Sequence, residues 1–382
     1  MTEQPKVRGK GVDVTRSGDA QPALWIGDRP VGADHPCFVI AEAGVNHNGS
    51  LDLALKLVDA AAEAGADAVK FQKRKLSDLY PARLLEDHNS EEWAFQYLLP
   101  VLQQTELTED EFRQIKDRCV KKGIRFMCTP WDASSLLFLE GLGVEAYKIS
   151  SADLVNLPLL DEVASTGKPM ILSTGMSTLH EIERTVGHLK GLGASFAILH
   201  CVSAYPAPFE SLNLRFLETL KSVGVPVGYS GHERGIAMPI VALALGASII
   251  EKHITLDRTL LGPDHPASLE PPGIQRLVRD IRHAELALGR NEKRLTTMEQ
   301  LNRQVLRKSL VAARDLAKGT VVDEEMVTAI GPGKGLSPQR LEELVGVQLD
   351  RDLAGGEYFT EGDLKPRAKL KIEANEIGRA HV

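Results

Sequence analysis

Phe38-Val39-Ile40-Ala41-Glu42-Ala43-Gly44-Val45-Asn46-His47-Asn48-Gly49 opens with four apolar residues in a row and closes in charged, polar and glycine residues. A run that is apolar on successive rather than alternate residues is buried on both faces, as in a strand of a parallel sheet. A helical pattern follows at once: Ser50 is a capping residue, Leu53, Leu57, Val58 and Ala61 share one face, and Gly65 ends the segment. The next apolar run, Ala68-Gln72, starts immediately afterwards. Working outward, the pattern recurs at Arg125-Thr129, Ala146-Ser151, Met170-Ser173, Ala197-Cys201, Pro226-Ser230 and Ile249-His253. Eight such units over about 220 residues predict an α/β fold, a closed parallel (β/α)8 TIM barrel, over residues 36–290.

The flanks read differently. Residues 1–35 form an arm and a hairpin: Met1 to about Ala20 is polar, without apolar period, and is expected to be disordered. Leu24-Trp25-Ile26-Gly27-Asp28-Arg29-Pro30-Val31 places a Gly-Asp turn between apolar residues, a short hairpin suited to plug one barrel end. Ile274 to about Arg290 is the last barrel helix, and 291–304 is a charged linker. From Lys308 the texture changes, with a strand at Ser309-Leu310-Val311-Ala312 and recurrent turns to Gly331-Pro332-Gly333-Lys334-Gly335. This predicts a small domain over 305–366, of about 60 residues, which needs support from the barrel or a partner chain. A charged tail, 367–382, is expected to be disordered.

Composition narrows the function. The chain of 382 residues is 43% hydrophobic and 25% charged, ordinary for one large and one small folded domain. A formal charge of −7 gives no basic footprint for nucleic acid. Cys37, Cys119, Cys128 and Cys201 are far apart, without a Cys-x-x-Cys pair or a secretory leader, so a reduced, cytoplasmic setting is expected. Met238 to Ile250, broken by Pro239 and Gly246, is shorter than the roughly 20 residues of a membrane span and reads as a buried helix running into a strand.

In such a barrel the site lies at the C-terminal strand ends. Those ends carry Glu42, Lys70 and Gln72, Thr129, Lys148 with Ser150 and Ser151, Ser173, His200 with Ser203 and Tyr205 beyond, Ser230 with His232, and Glu251 with His253. Two lysines at one mouth, among hydroxyls, describe a pocket for a small multiply charged anion such as a phosphorylated carboxylate. The alternative is that Lys70 and Lys148 only neutralise Glu42 and Glu251. His232 and His253 end adjacent strands, so their imidazoles converge either on one divalent ion or on backbone carbonyls as core histidines. Two ligands hold an ion weakly, which fits exchangeable Mn2+ or Mg2+ better than structural zinc. His200, Tyr147, Trp131 and the cysteines read as packing residues, and Gly262-Pro263-Asp264-His265 and Glu91-Glu92 as loops.

Taken together, Ile40 to Gly49, Val69-Lys70-Phe71-Gln72, Lys148-Ile149-Ser150-Ser151, Leu172-Ser173-Thr174-Gly175-Met176, His200-Cys201 with Tyr205-Pro206, Gly228-Tyr229-Ser230-Gly231-His232 and Glu251-Lys252-His253 closely resemble the sialic acid synthase family. The resemblance spans roughly Phe38 to Pro366, its C-terminal part resembling the antifreeze-like (SAF) domain that accompanies this barrel. It implies a transferase that condenses phosphoenolpyruvate with N-acetylmannosamine or a related 2-acetamido sugar, giving a nine-carbon 2-keto acid and phosphate. By position, Lys70, Thr129, Lys148, Ser151, Ser173, Ser203 and Ser230 would hold phosphoenolpyruvate. Gln72, Asp153, Tyr205 and Asp264 would face the sugar, with Tyr205 among the catalytic groups. His232 and His253 would bind the metal, Mn2+ foremost with Mg2+ or Co2+ as alternatives, and Glu42 would handle protons or position water. The family also implies a domain-swapped homodimer. The sequence departs from the family at Ala152-Asp153, where Gly-Glu is common, at Ser203, where asparagine is frequent, and at Gly331, where an arginine usually stands. These departures leave open a legionaminic- or pseudaminic-type precursor or a sugar 6-phosphate as acceptor, and a noncatalytic sugar-binding barrel as the rival from another class.

Overall fold

A hairpin, β1 (Leu24–Ile26) and β2 (Arg29–Val31), precedes eight parallel strands in the computed structural model, which describes residues 24–86 and 93–364. The strands are β3 (Phe38–Gly44), β4 (Ala68–Lys73), β5 (Arg125–Pro130), β6 (Tyr147–Ile149), β7 (Met170–Ser173), β8 (Phe196–Cys201), β9 (Val227–Gly231) and β10 (Ile249–His253). Each pairs with its neighbour in sequence, and β10 closes the barrel against β3, with Ile249 opposite Phe38 and His253 opposite Glu42. The expected arm, tail and Glu91-Glu92 loop lie outside the described residues.

The connecting helices start and stop where local chemistry directs. Ser50 caps Leu51–Glu63 by accepting the Leu53 N–H, and the helix buries Ala54, Leu57, Val58 and Ala61 against the strands. Thr108 and Thr178 open Glu109–Lys122 and Leu179–Gly191 with full capping boxes to Glu111 and Glu181. The apolar stretch from Met238 is, as expected, a helix (Ala237–Ala244) leading into β10. The last helix of this unit runs Pro271–Leu288.

Residues alternate inward and outward along each strand, and the inward set changes character with height. Near the N-terminal ends the interior is apolar: Phe38, Ile40, Ala68, Met127, Ala146, Ile171, Ala197, Leu199 and Ile249 form one cluster with Leu24, Ile26 and Val31 of the hairpin. The hairpin therefore floors the barrel. Two residues further along the same strands the interior becomes polar, with Glu42, Lys70, Thr129, Lys148, Ser173 and Glu251 all buried. The shortest strand, β6, ends at Ile149, and the next residues turn into a 3-10 helix, Ser151–Asp153.

The chain divides at Arg290, and the second unit starts at Asn291. In it β11 (Ser309–Ala312) pairs antiparallel with β12 (Val327–Ile330) over a small core that includes Leu310, Leu316, Leu336, Leu344 and Phe359. The segment read as a charged linker is largely a helix, Thr297–Leu306. Its start was marked by a capping box, Thr296 to Glu299, which outweighs the charged composition. No described helix is long and apolar enough to cross a membrane.

Truncating the floor tests this account. Ile26 is fully buried, so Ile26→Ala is expected to cost about 2–5 kcal/mol in urea unfolding of the barrel, while leaving the polar layer above it chemically intact.

Candidate active site

Four charges share one buried layer. The Lys70 Nζ lies 2.8 Å from Glu42 Oε2 and 4.0 Å from Glu251 Oε2, and donates to Thr129 Oγ1 at 3.2 Å. The Lys148 Nζ donates to Ser173 Oγ at 2.6 Å and to the Ile149 carbonyl at 2.9 Å, with Glu251 Oε1 at 3.9 Å. Ser230 Oγ donates to Glu251 Oε1 at 3.0 Å, and Gln72 Nε2 to Glu42 Oε1 at 2.8 Å. Burial alone would raise the Glu251 carboxyl, but Lys148 and Lys70 overcome it and hold it down at about 2. The lysines split: burial opposes charge on both, Glu251 and Glu42 lift Lys70 above its ordinary value, and Lys148, with one carboxylate farther off, falls below its own. Lys148 is thus the cation with the weaker partner. The pairing of lysines with glutamates that sequence offered as a purely structural alternative is present, but it is incomplete. Glu42 Oε2 and Glu251 Oε2 are buried without an aligned hydrogen bond, the first despite its close ion pair.

Above this layer opens a cavity of about 200 Å³. Its walls include Glu42, Lys70, Gln72, Thr129, Lys148, Ser151, Ser173, Ser203, Tyr205, Ser230, His232 and His253, twelve of the fourteen residues singled out from sequence. A larger cleft, about 310 Å³, lies between the outer helices at Lys56, Asp59, Pro271 and Gln275, and no strand residue lines it. The His232 and His253 rings are 5.3 Å apart between centroids, with the Tyr205 ring tilted against His232 at 4.2 Å. The His232 Nδ1 sits 2.9 Å from the Val202 carbonyl, so its N–H donates there, which in the neutral ring leaves the lone pair on Nε2. The His253 Nδ1 is buried without a hydrogen-bond partner, 3.6 Å from Asp264 Oδ2. One imidazole therefore follows the core-histidine pattern at one nitrogen, and the other does not. Among the described residues no group of three or more His, Cys, Asp or Glu is arranged to hold an ion. Two imidazoles with open positions fit a loosely held divalent ion and not a closed structural site.

Two sequence-derived residues fall outside the cavity wall. Asp153 is buried in the 3-10 turn after β6, its oxygens taken by Ser150 Oγ (2.8 Å) and Asn156 Nδ2 (3.1 Å). Asp264 lies beside His253, its Oδ2 3.6 Å from the ring Nδ1 and next to Gly44. Trp131, read as a packing residue, instead lines the cavity, as do Cys201, Met176 and Glu251. Arg74 was missed: it is buried, donates to Gln72 Oε1 at 2.5 Å and lies 5.1 Å over the Trp131 ring. Nothing in Lys73-Arg74-Lys75 distinguishes the middle residue by sequence. The packing readings hold for His200, which meets the Leu212 carbonyl at 2.6 Å, and for Tyr147, whose OH donates to Glu140 at 2.5 Å.

Comparison with known proteins decides what this arrangement is. The model of the NeuB family matches residues 57–293, and that of the SAF domain matches residues 307–365. The chain belongs to the NeuB family. It is an enzyme of the sialic acid synthase type. It is 40% identical over 340 residues to the N,N'-diacetyllegionaminic acid synthase of Legionella pneumophila, covering 86% of this chain and 95% of that one. To the human N-acetylneuraminate-9-phosphate synthase it is 39% identical over 333 residues, covering 86% and 91%. The crystal structure of a Leptospira borgpetersenii N-acetylneuraminic acid synthetase in complex with citrate superposes with a TM-score of 0.66 at 39% identity, covering 74% of this chain and 95% of that one.

In this NeuB barrel His47, beside the mouth, accepts the Gly49 N–H on Nδ1. Burial, aided by the Arg74 charge, pushes it down from 6.5 to about 4. Its folded value is the lower one, so between pH 6.5 and 4 the unfolded chain takes up a proton that the folded chain refuses, and stability falls. The loss from this one residue is on the order of 3 kcal/mol. Urea unfolding between pH 7.5 and 4.5 is expected to show it, and His47→Asn to flatten that part of the profile.

Proposed function

We propose that the protein condenses phosphoenolpyruvate with the open-chain form of N-acetylmannosamine or a related 2-acetamido sugar, releasing phosphate and a nine-carbon 2-keto acid. The observation that carries this reading is Lys148, a buried ammonium 3.9 Å from its one carboxylate and hydrogen-bonded to Ser173 at the wall of the cavity. A phosphorylated carboxylate supplies the anionic charge that this cation lacks. The names of the NeuB relatives support the acceptor class: one makes a diacetylated legionaminic acid and another a phosphorylated sialic acid.

In this reading Lys70 and Lys148, with Thr129, Ser151, Ser173, Ser203 and Ser230, bind the phosphate and carboxylate groups. Gln72, Tyr205 and Asp264 face the sugar. Asp153 is left out of that set because its oxygens already serve Ser150 and Asn156. The bond forms between C3 of phosphoenolpyruvate and the aldehyde carbon, whose oxygen gains a proton. Water then adds to C2, and one of its protons becomes that of the new sugar hydroxyl; the bond from C2 to the phosphate oxygen breaks with the electron pair leaving on phosphate, which carries off the second proton as C2 becomes a ketone. Glu42, oriented by Gln72 and Lys70, takes the proton of that water. A divalent ion, Mn2+ foremost, with Mg2+ or Co2+ as alternatives, would be held by His232 and His253 and supplies Lewis-acid polarisation of the aldehyde.

A homodimer, with each SAF domain serving the partner's barrel, and a cytoplasmic setting complete the proposal. The exposed Met298, Leu301 and Val305 on one helix and the four free, buried cysteines support these two points.

The test is phosphate release from phosphoenolpyruvate with Mn2+ and, in turn, N-acetylmannosamine, its 6-phosphate and a 2,4-diacetamido hexose, with mass detection of the keto acid. Turnover with one acceptor is the expected outcome. Release with none of them, by folded protein, would sink the reading. Lys148→Met is expected to lower turnover about 10²–10³-fold with the circular dichroism spectrum retained.

A further inference from the structure

The mechanism above makes no use of the most deeply buried ion pair in the barrel. Lys252 and Glu233 have fully buried side chains, with Nζ 2.9 Å from Oε1. The same Nζ also donates to the Glu233 backbone carbonyl. The other carboxylate oxygen, Oε2, accepts the Tyr229 OH at 2.6 Å. Burying such a pair is expensive, and an apolar pair of similar volume would commonly serve stability as well or better. The place it occupies is specific. Glu233 directly follows His232, and Lys252 directly precedes His253.

Strand geometry turns that adjacency into a constraint. β9 and β10 pair with Tyr229 opposite Ile250, Ser230 opposite Glu251 and Gly231 opposite Lys252. Ser230, Glu251, His232 and His253 line the cavity, while Tyr229 and Ile250 belong to the core cluster on the other face of the sheet. The ion pair therefore clamps, from the outer face, the two chain segments whose inner faces carry the imidazoles. Gly231 is built around it: a Cβ there would lie 2.6 Å from Glu233 Oε2 and 2.7 Å from Tyr229 Cε1. β9 ends at Gly231; beyond it the His232 carbonyl accepts the Ala207 N–H at 3.1 Å, and the next carbonyl, that of Glu233, is held by Lys252.

We infer that Glu233, Lys252 and Tyr229 are positioning residues that set the separation of His232 and His253, and so the affinity of that pair for a divalent cation. The inference rests on the reading of the two histidines as metal ligands. Partners one step removed from a metal ligand typically govern affinity 10- to 100-fold.

The experiment titrates Mn2+ into the full chain without substrates, following free Mn2+ by electron paramagnetic resonance, beside thermal unfolding of the same samples. The variant Tyr229→Phe/Glu233→Met/Lys252→Met removes every polar group of the clamp while preserving apolar volume. The expected result is a Tm within a few degrees of the parent and a 10- to 100-fold weaker Mn2+ affinity. Affinity within twofold of the parent, in a folded variant, would overturn the inference and leave the metal reading standing. Absence of Mn2+ binding by the unsubstituted chain would overturn both. Should the triple variant not fold, Tyr229→Phe alone decides: at unchanged Tm, a threefold or greater fall supports the clamp, and no fall overturns it.

Discussion

Two lysines and two glutamates are held inside one barrel at a height where every neighbouring strand also contributes a side chain. Removing four charges from water is costly, and the cost is offset only if each finds a partner at short range. The barrel meets that condition through register. Because His253 lies opposite Glu42 and Glu42 opposite Lys70, and Ser230 opposite Glu251, the charges and hydroxyls fall side by side without any loop having to place them. A one-residue slip would turn the set outward into the apolar helix layer. The site and the closure of the barrel are therefore one constraint.

The layer is nevertheless not balanced throughout. Lys70 sits between two carboxylates and is a well-compensated cation, whereas Lys148 relies on one distant carboxylate, a hydroxyl and a carbonyl. Carboxylate oxygens of Glu42 and Glu251 and a ring nitrogen of His253 remain without hydrogen bonds in the buried zone. Unsatisfied polar atoms of this kind weaken a fold, and four of the seven among the described residues, on Glu42, Trp131, Glu251 and His253, belong to side chains lining one cavity. Preorganised groups facing an incoming charge act most strongly where water is scarce.

Much of this was legible in the sequence because strands in a parallel barrel are buried on both faces and their ends stand out. The runs at Phe38, Ala68, Met170 and Ile249 begin where the strands begin, and the polar residue that closes each run lines the cavity. What was not legible depends on geometry that neighbours in sequence do not encode. Arg74 lies between two lysines, and only folding buries it over Trp131. Asp153 occupies the position a family pattern assigns to the acceptor, but a short 3-10 turn gives its oxygens to Ser150 and Asn156. The helix at Thr297 was hidden by charge counting, although its capping box was written in the sequence.

The hairpin floor has a kinetic meaning. Leu24, Ile26 and Val31 pack across the N-terminal end, so among the described residues the barrel is a well that opens at its C-terminal end, where Tyr205 stands 47% exposed. Lys70 and Lys148 lie deeper, almost wholly shielded. A vessel of this shape is filled and emptied as a stack. Whatever occupies the lysine layer must enter before anything seated at the rim, and it leaves only after the rim is clear.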